Sequence, residues 1–144
     1  MRYREVIRMP IWLLTLIYLF LLSLVLSIWA ALGNNAAITS LIICTGLLIV
    51  IAIKSAMVIE VDEQELRVGR AHIELRFLGE SRALSGEQVR ILRTRDADPA
   101  AFLGIRFWSS TGVRIEINDL RDRTPYWLIT SNHAHRFVQS LEKN

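Results

Sequence analysis

The chain has 144 residues but only one cysteine, Cys44, which excludes a disulfide scaffold. Its three histidines do not make a metal centre. His133 and His135 stand two apart and point in different directions on a helix, and His72 has no second ligand near it. The seven glycines are scattered, so no glycine-rich loop cradles a phosphate, and no serine lies in a nucleophile-elbow pattern. On these grounds no catalytic, metal-binding or cofactor-binding residue is assigned, and no cofactor is expected. Charge is missing over two long stretches, residues 11–32 and 36–53. What is abundant is apolar: 52% of residues are hydrophobic against 22% charged, and the mean hydropathy is +0.33. Such a composition excludes a disordered chain, and the length excludes a large multidomain enzyme.

The net charge of +3 has an informative position. Residues 1–54 carry Arg2, Arg4, Arg8 and Lys54 against Glu5 alone, so they account for the whole excess, and the remaining residues are neutral. The basic isoelectric point near 9.5 therefore describes a short segment, not a basic domain. Nucleic acid is excluded as a partner, because it calls for a cationic face on a folded module. Arg90, Arg93 and Arg95 are interleaved with acids and read as a solvated face.

Residues 1–54 read as a two-span membrane hairpin. As helices, residues 11–32 and 36–53 would reach roughly 33 Å and about 27 Å, against a hydrocarbon core of ~30 Å. Gly33, Asn34 and Asn35 break the two apart, and Trp12 and Trp29 mark opposite ends of the first span as interfacial anchors do. Ser23 and Ser27 on the first span, and Ala36, Ser40 and Cys44 on the second, are four apart. They supply small faces for helix contact within the hairpin or between copies in a homo-oligomer. Neither span holds an ionisable group of the kind that marks a transport pathway. The basic residues outside the spans, with an uncharged connection between them, place both termini in the cytoplasm and the protein in the inner (plasma) membrane. A cleaved signal peptide ending near Ala31-Leu32-Gly33 is the rival, but its hydrophobic region would be too long.

From residue 55 to 144 the period changes to two, as expected of a cytoplasmic antiparallel β domain. Met57, Ile59 and Val61, then Leu66 and Val68, alternate with polar neighbours, and Gly69-Arg70 fits a hairpin turn leading to Ile73, Leu75 and Phe77. Further strands are expected at Glu80 to Leu84, around Ile105 and Phe107, at Val113 to Ile117 and at Tyr126 to Thr130. A short helix capped by Ser85 directs Val89 and Leu92 inward. A final helix capped by Ser131 or Asn132 carries the stripe Ala134, Phe137, Val138 and Leu141. About seven strands and a terminal helix make an α+β domain whose order resembles the pleckstrin-homology-like barrel, or an open sandwich of the same elements.

Several motifs carry a more specific likeness. Tyr3-Arg4-Glu5 ahead of Pro10, Glu65-Leu66-Arg67-Val68-Gly69, Asp98-Pro99-Ala100-Ala101-Phe102 and Asp122-Arg123-Thr124-Pro125-Tyr126-Trp127-Leu128 resemble an uncharacterised family of small actinobacterial membrane proteins, a domain of unknown function. The likeness spans nearly the whole chain and is most specific at Thr124 to Trp127. Arg123, Asn132 and His133 depart from the pattern. The 15 arginines against two lysines fit a GC-rich genome. The resemblance implies location and architecture, and no activity.

Function is accordingly expected to be that of a membrane-tethered binding or scaffold module, contacting the bilayer and a protein partner or anionic lipid headgroups. The contact candidates are Arg106 and Arg114, which could instead pair with Glu116 and Asp119, together with Asp122, Tyr126 and Trp127. Tyr126 and Trp127 are neighbours on a strand, so one should enter the core and the other face outward or toward the bilayer. The alternative is a membrane-bound hydrolase or transferase using the loop carboxylates Asp119 and Asp122 with Asp96 or Asp98.

Overall fold

The computed structural model describes residues 2–142, which divide into two units. One is the segment Arg8–Ala56, and the other joins the residues up to Ile7 to those from Met57 onward.

The first unit is a helical hairpin of α1 (Ile11–Leu32) and α2 (Asn34–Lys54), which pack against each other. A single residue, Gly33, separates them, so α2 starts at Asn34 and not at Ala36. Gly33 has φ +81°, a backbone conformation that side-chain-bearing residues rarely adopt, and its N–H closes α1 on the Trp29 carbonyl at 2.9 Å. Trp29 Nε1 donates across the turn to Asn34 Oδ1 at 2.7 Å. Cys44 is buried and Ala36 and Ser40 are half-buried, but Ser23 and Ser27 are exposed. Ser27 donates its hydroxyl to the Ser23 carbonyl within the same helix, and α1 buries Leu13 and Val25 instead.

The second unit holds eight strands in two four-stranded sheets. In the first, β1 (Tyr3–Ile7), β2 (Met57–Val61), β3 (Glu65–Val68) and β4 (Ala71–Glu74) lie side by side in that order, all antiparallel. Strand β1 was not expected. Its inward positions are Glu5 and Ile7, and an acid at a core position hides the alternation. The pairing runs from Tyr3 opposite Val61 to Ile7 opposite Met57, so the helical hairpin replaces the turn of a β-hairpin. Residues 1–54 are thus not one segment.

After Gly69-Arg70, with Gly69 at φ +62°, β4 stops at Glu74 instead of continuing to Phe77. Leu75–Phe77 forms a single 3-10 turn that buries Leu75 and passes the chain to the second sheet. That sheet has the order β5 (Leu78–Leu84), β7 (Gly112–Ile117), β8 (Tyr126–Thr130), β6 (Phe102–Gly104). Helix α3 (Gly86–Thr94) follows β5, starting with a reciprocal capping box between Ser85 and Gln88. Strand β6 replaces the expected strand at Ile105 and Phe107, and it runs parallel to β8. Thr130 Oγ1 accepts from Arg106 N and donates to the Gly104 carbonyl, which takes up the backbone groups that would carry the strand onward.

The two sheets are open and no ladder closes them into a barrel, so the all-antiparallel barrel is corrected to two sheets with one parallel pair. They share one core. Ile7, Ile59, Val61 and Leu66 from the first sheet meet Val113, Ile115 and Ile129 from the second, and helix α4 (Ala134–Glu142) adds Ala134, Phe137 and Leu141. Phe137 is fully buried and stacks on Tyr3, ring centroids 5.4 Å apart. Phe137→Ala should therefore cost about 3–5 kcal/mol. A urea titration followed by tryptophan fluorescence checks this, and a loss below about 1 kcal/mol would place Phe137 outside the core.

Candidate functional site

One buried acid of the β domain gathers several donors: Glu5, on β1, is only 8% exposed. Its Oε2 accepts from the Ser131 hydroxyl at 2.6 Å and the Tyr3 hydroxyl at 2.7 Å. Its Oε1 accepts from the Asn132 backbone N–H at 2.9 Å and lies 3.4 Å from His133 Nδ1. Strand β1 is thereby fastened to the β8–α4 junction, more than 120 residues along the chain. Ser131 is fully buried, and its groups are committed: Oγ also accepts from His133 N, its N–H goes to the Thr111 carbonyl, and its carbonyl accepts from the Thr111 hydroxyl. Serine and histidine both turn to one carboxylate and the imidazole is not hydrogen-bonded to the serine hydroxyl, so the arrangement is not the Ser–His–carboxylate relay, and it fastens β1 to the β8–α4 junction. The signal in the sequence was the lone acid among Arg2, Arg4 and Arg8 at the centre of the alternation Tyr3, Glu5, Ile7.

The residues singled out in the sequence lie elsewhere. Arg114 and Tyr126 come together on adjacent strands, with the guanidinium 4.5 Å from the ring centroid and Arg114 Nη2 3.7 Å from Glu116. Trp127 enters the core against Phe102, centroids 4.4 Å apart. Both Tyr126 and Trp127 are buried, which corrects the expectation that one faces outward. The reason is that β8 lies between β7 and β6 and is covered on both faces. Arg106 is half-buried beyond β6, with its guanidinium 5.9 Å from the Trp108 ring. Asp122 is on the exposed β7–β8 loop, where its Oδ1 accepts from the N–H and the hydroxyl of Thr124, and those bonds hold its carboxyl below the usual range. Asp119 and Asp98 likewise accept from the N–H two residues on, so these loop acids build turns. Asp119 pairs with Arg121 at 3.5 Å. Among the described residues no three His, Cys, Asp or Glu side chains are grouped to hold a metal ion.

Over residues 2–141 the chain matches the family described as "Protein of unknown function (DUF3093)". The chain belongs to the DUF3093 family. No curated protein and no solved structure matches it. The match covers both units, so the helical hairpin and the β domain together make up what this DUF3093 chain has in common with its family.

Burial by itself would push the Glu5 carboxyl up, but the bonds from Ser131, Tyr3, the Asn132 N–H and His133 together outweigh it and hold Glu5 below its ordinary value of 4.5. Tyr3 moves the other way: burial, with Glu5 accepting its proton, pushes it up to about 12, so it stays a donor. A depressed carboxyl contributes stability that is complete above its unfolded value and disappears as pH falls through the folded one. Glu5→Gln in the DUF3093 domain should cost about 2–3 kcal/mol at neutral pH, the scale of hydrogen bonds to a charged acceptor. The gap from the wild-type chain should close below about pH 4.5, read by urea midpoints across pH. A gap that persists unchanged in acid would mean that the charge of Glu5 is not what holds β1. The Tyr126 hydroxyl is buried with no partner. Tyr126→Phe should leave stability unchanged or raise it by about 1 kcal/mol, whereas a loss would reveal a partner for that hydroxyl.

Proposed function

We propose that this chain is a two-span protein of the inner membrane, with its β domain in the cytoplasm acting as a non-enzymatic binding or scaffold module for a protein partner or anionic headgroups. The observation that carries the reading is the register of Ile7 opposite Met57. Both ends of the hairpin leave from one pair of neighbouring strands, so an excursion across a bilayer must return to the side from which it started. Two spans do so and one does not. Helices α1 and α2 are 22 and 21 residues long, with hydropathy 2.6 and 2.7. Only 11% and 6% of their apolar stretches are buried, which suits lipid-facing helices better than the core of a soluble fold.

Strand β1 also weighs against a cleaved signal peptide. Cleavage near Gly33 would remove Ile7 from the core, strip β2 of a neighbour and delete the Glu5 fastening. Arg8 and Lys54 flank the helices directly and orient the hairpin, while Arg4 is paired with Glu60 inside the sheet. The pleckstrin-homology-like reading of the domain draws on the C-terminal helix that completes the core between the sheets.

Labelling with a membrane-impermeant maleimide in intact cells tests the topology. In a Cys44→Ser background, Asn35→Cys should label from outside, and Leu120→Cys, at a fully exposed position, should label only after permeabilisation. Labelling of the position-120 cysteine in intact cells would overturn the cytoplasmic assignment.

A further inference from the structure

A cleft of about 620 Å³ opens between the start of α3 and the start of α4. Gln88 borders it on one side, and Asn132, His133, His135 and Arg136 on the other, with Leu84 as apolar wall and no acidic residue in the lining. Three side-chain acceptors around it are already engaged. Ser85 Oγ and Gln88 Oε1 take the backbone N–H groups of Gln88 and Ser85, and Asn132 Oδ1 takes the Ser109 hydroxyl. The cleft therefore offers as donors the amide NH2 groups of Gln88 and Asn132, the imidazole of His135 and the exposed Arg136 guanidinium, while His133 turns its Nδ1 to Glu5. The Glu5 carboxylate near His133 has its own four donors and is not part of the lining.

We propose that this cleft binds a phosphoryl group, carried either by a soluble phosphate compound or by a lipid headgroup. Several donors along one cleft suit the acceptor oxygens of a tetrahedral phosphate better than the two of a carboxylate, and Arg136, which also borders the neighbouring cleft beside Tyr3, would supply the charge-assisted contact. The volume leaves room for the remainder of the ligand against Leu84. This names a ligand class for the binding role proposed above and rests on that role.

The test is a titration of the full chain in nonionic detergent with inorganic phosphate, at fixed pH and ionic strength, following the imidazole C–H resonances. His133 and His135 should move saturably while His72, exposed on β4, stays in place; chloride at the same ionic strength should move none of them. Arg136→Gln and His135→Gln, both at exposed positions, should each weaken binding by about tenfold with an unchanged circular dichroism spectrum. A second arm places the chain in phosphatidylcholine vesicles with and without phosphatidic acid and no added phosphate. The same resonances moving with phosphatidic acid assigns the lipid headgroup; movement with inorganic phosphate alone assigns the soluble source. No saturable movement in either arm, or an Arg136→Gln chain that titrates like the wild type, overturns the proposal. That failure leaves the labelling pattern at positions 35 and 120 untouched, so the two readings fall separately.

Discussion

The pairing of Ile7 with Met57 is the constraint on which the rest of the molecule depends. It joins two residues separated by the whole helical hairpin, and closing a flexible loop of that length would cost about 3–4 kcal/mol in chain entropy. The hairpin removes most of this cost. Two helices of nearly equal length, packed on each other and joined at the single residue Gly33, return the chain close to where it left. The helical hairpin thus stands in the chain where the turn between β1 and β2 would be.

The energetic weight of β1 comes from both of its faces of interaction. Ile7 belongs to the common core, and Tyr3 stacks on Phe137 of α4. Between them Glu5 takes donors from the β8–α4 junction, and the buried Ser131 hydroxyl would lose its acceptor without it. A buried charge of this kind contributes little as an ion and much as an acceptor that several groups need at once. It also ties the first strand to the last helix, so the two ends of the domain are expected to unfold together. His133 and Asn132, which meet Glu5 on one side, border the α3–α4 cleft on the other.

Much of the local structure was legible. The uncharged runs, the alternation of Met57, Ile59 and Val61, the Gly69-Arg70 turn, the Ser85 cap and the stripe of α4 all follow from residue type and spacing, and all are present. The misses have a common cause. Strand β1 was hidden because its inward residue is an acid whose partners are more than 120 residues away. Strand β6 was misplaced because Thr130, on another strand, decides where it ends. Tyr126 and Trp127 were split between core and surface because alternation assumes one wet face, and β8 has none. Of the contact candidates, Arg114 and Tyr126 meet each other on adjacent strands and Asp122 builds a turn, placements that spacing alone does not give.

By itself, the sequence determined the features that depend on near neighbours: which segments are apolar enough to be long helices, which alternate, where caps and turns lie, and that the excess charge flanks the hairpin. Tertiary structure alone decided that the hairpin is an insertion between two paired strands, that one strand runs parallel to its neighbour, and that a lone glutamate is the fastening of the domain. Period and propensity act over a few residues, whereas a carboxylate gains its meaning from donors that only the folded chain assembles around it.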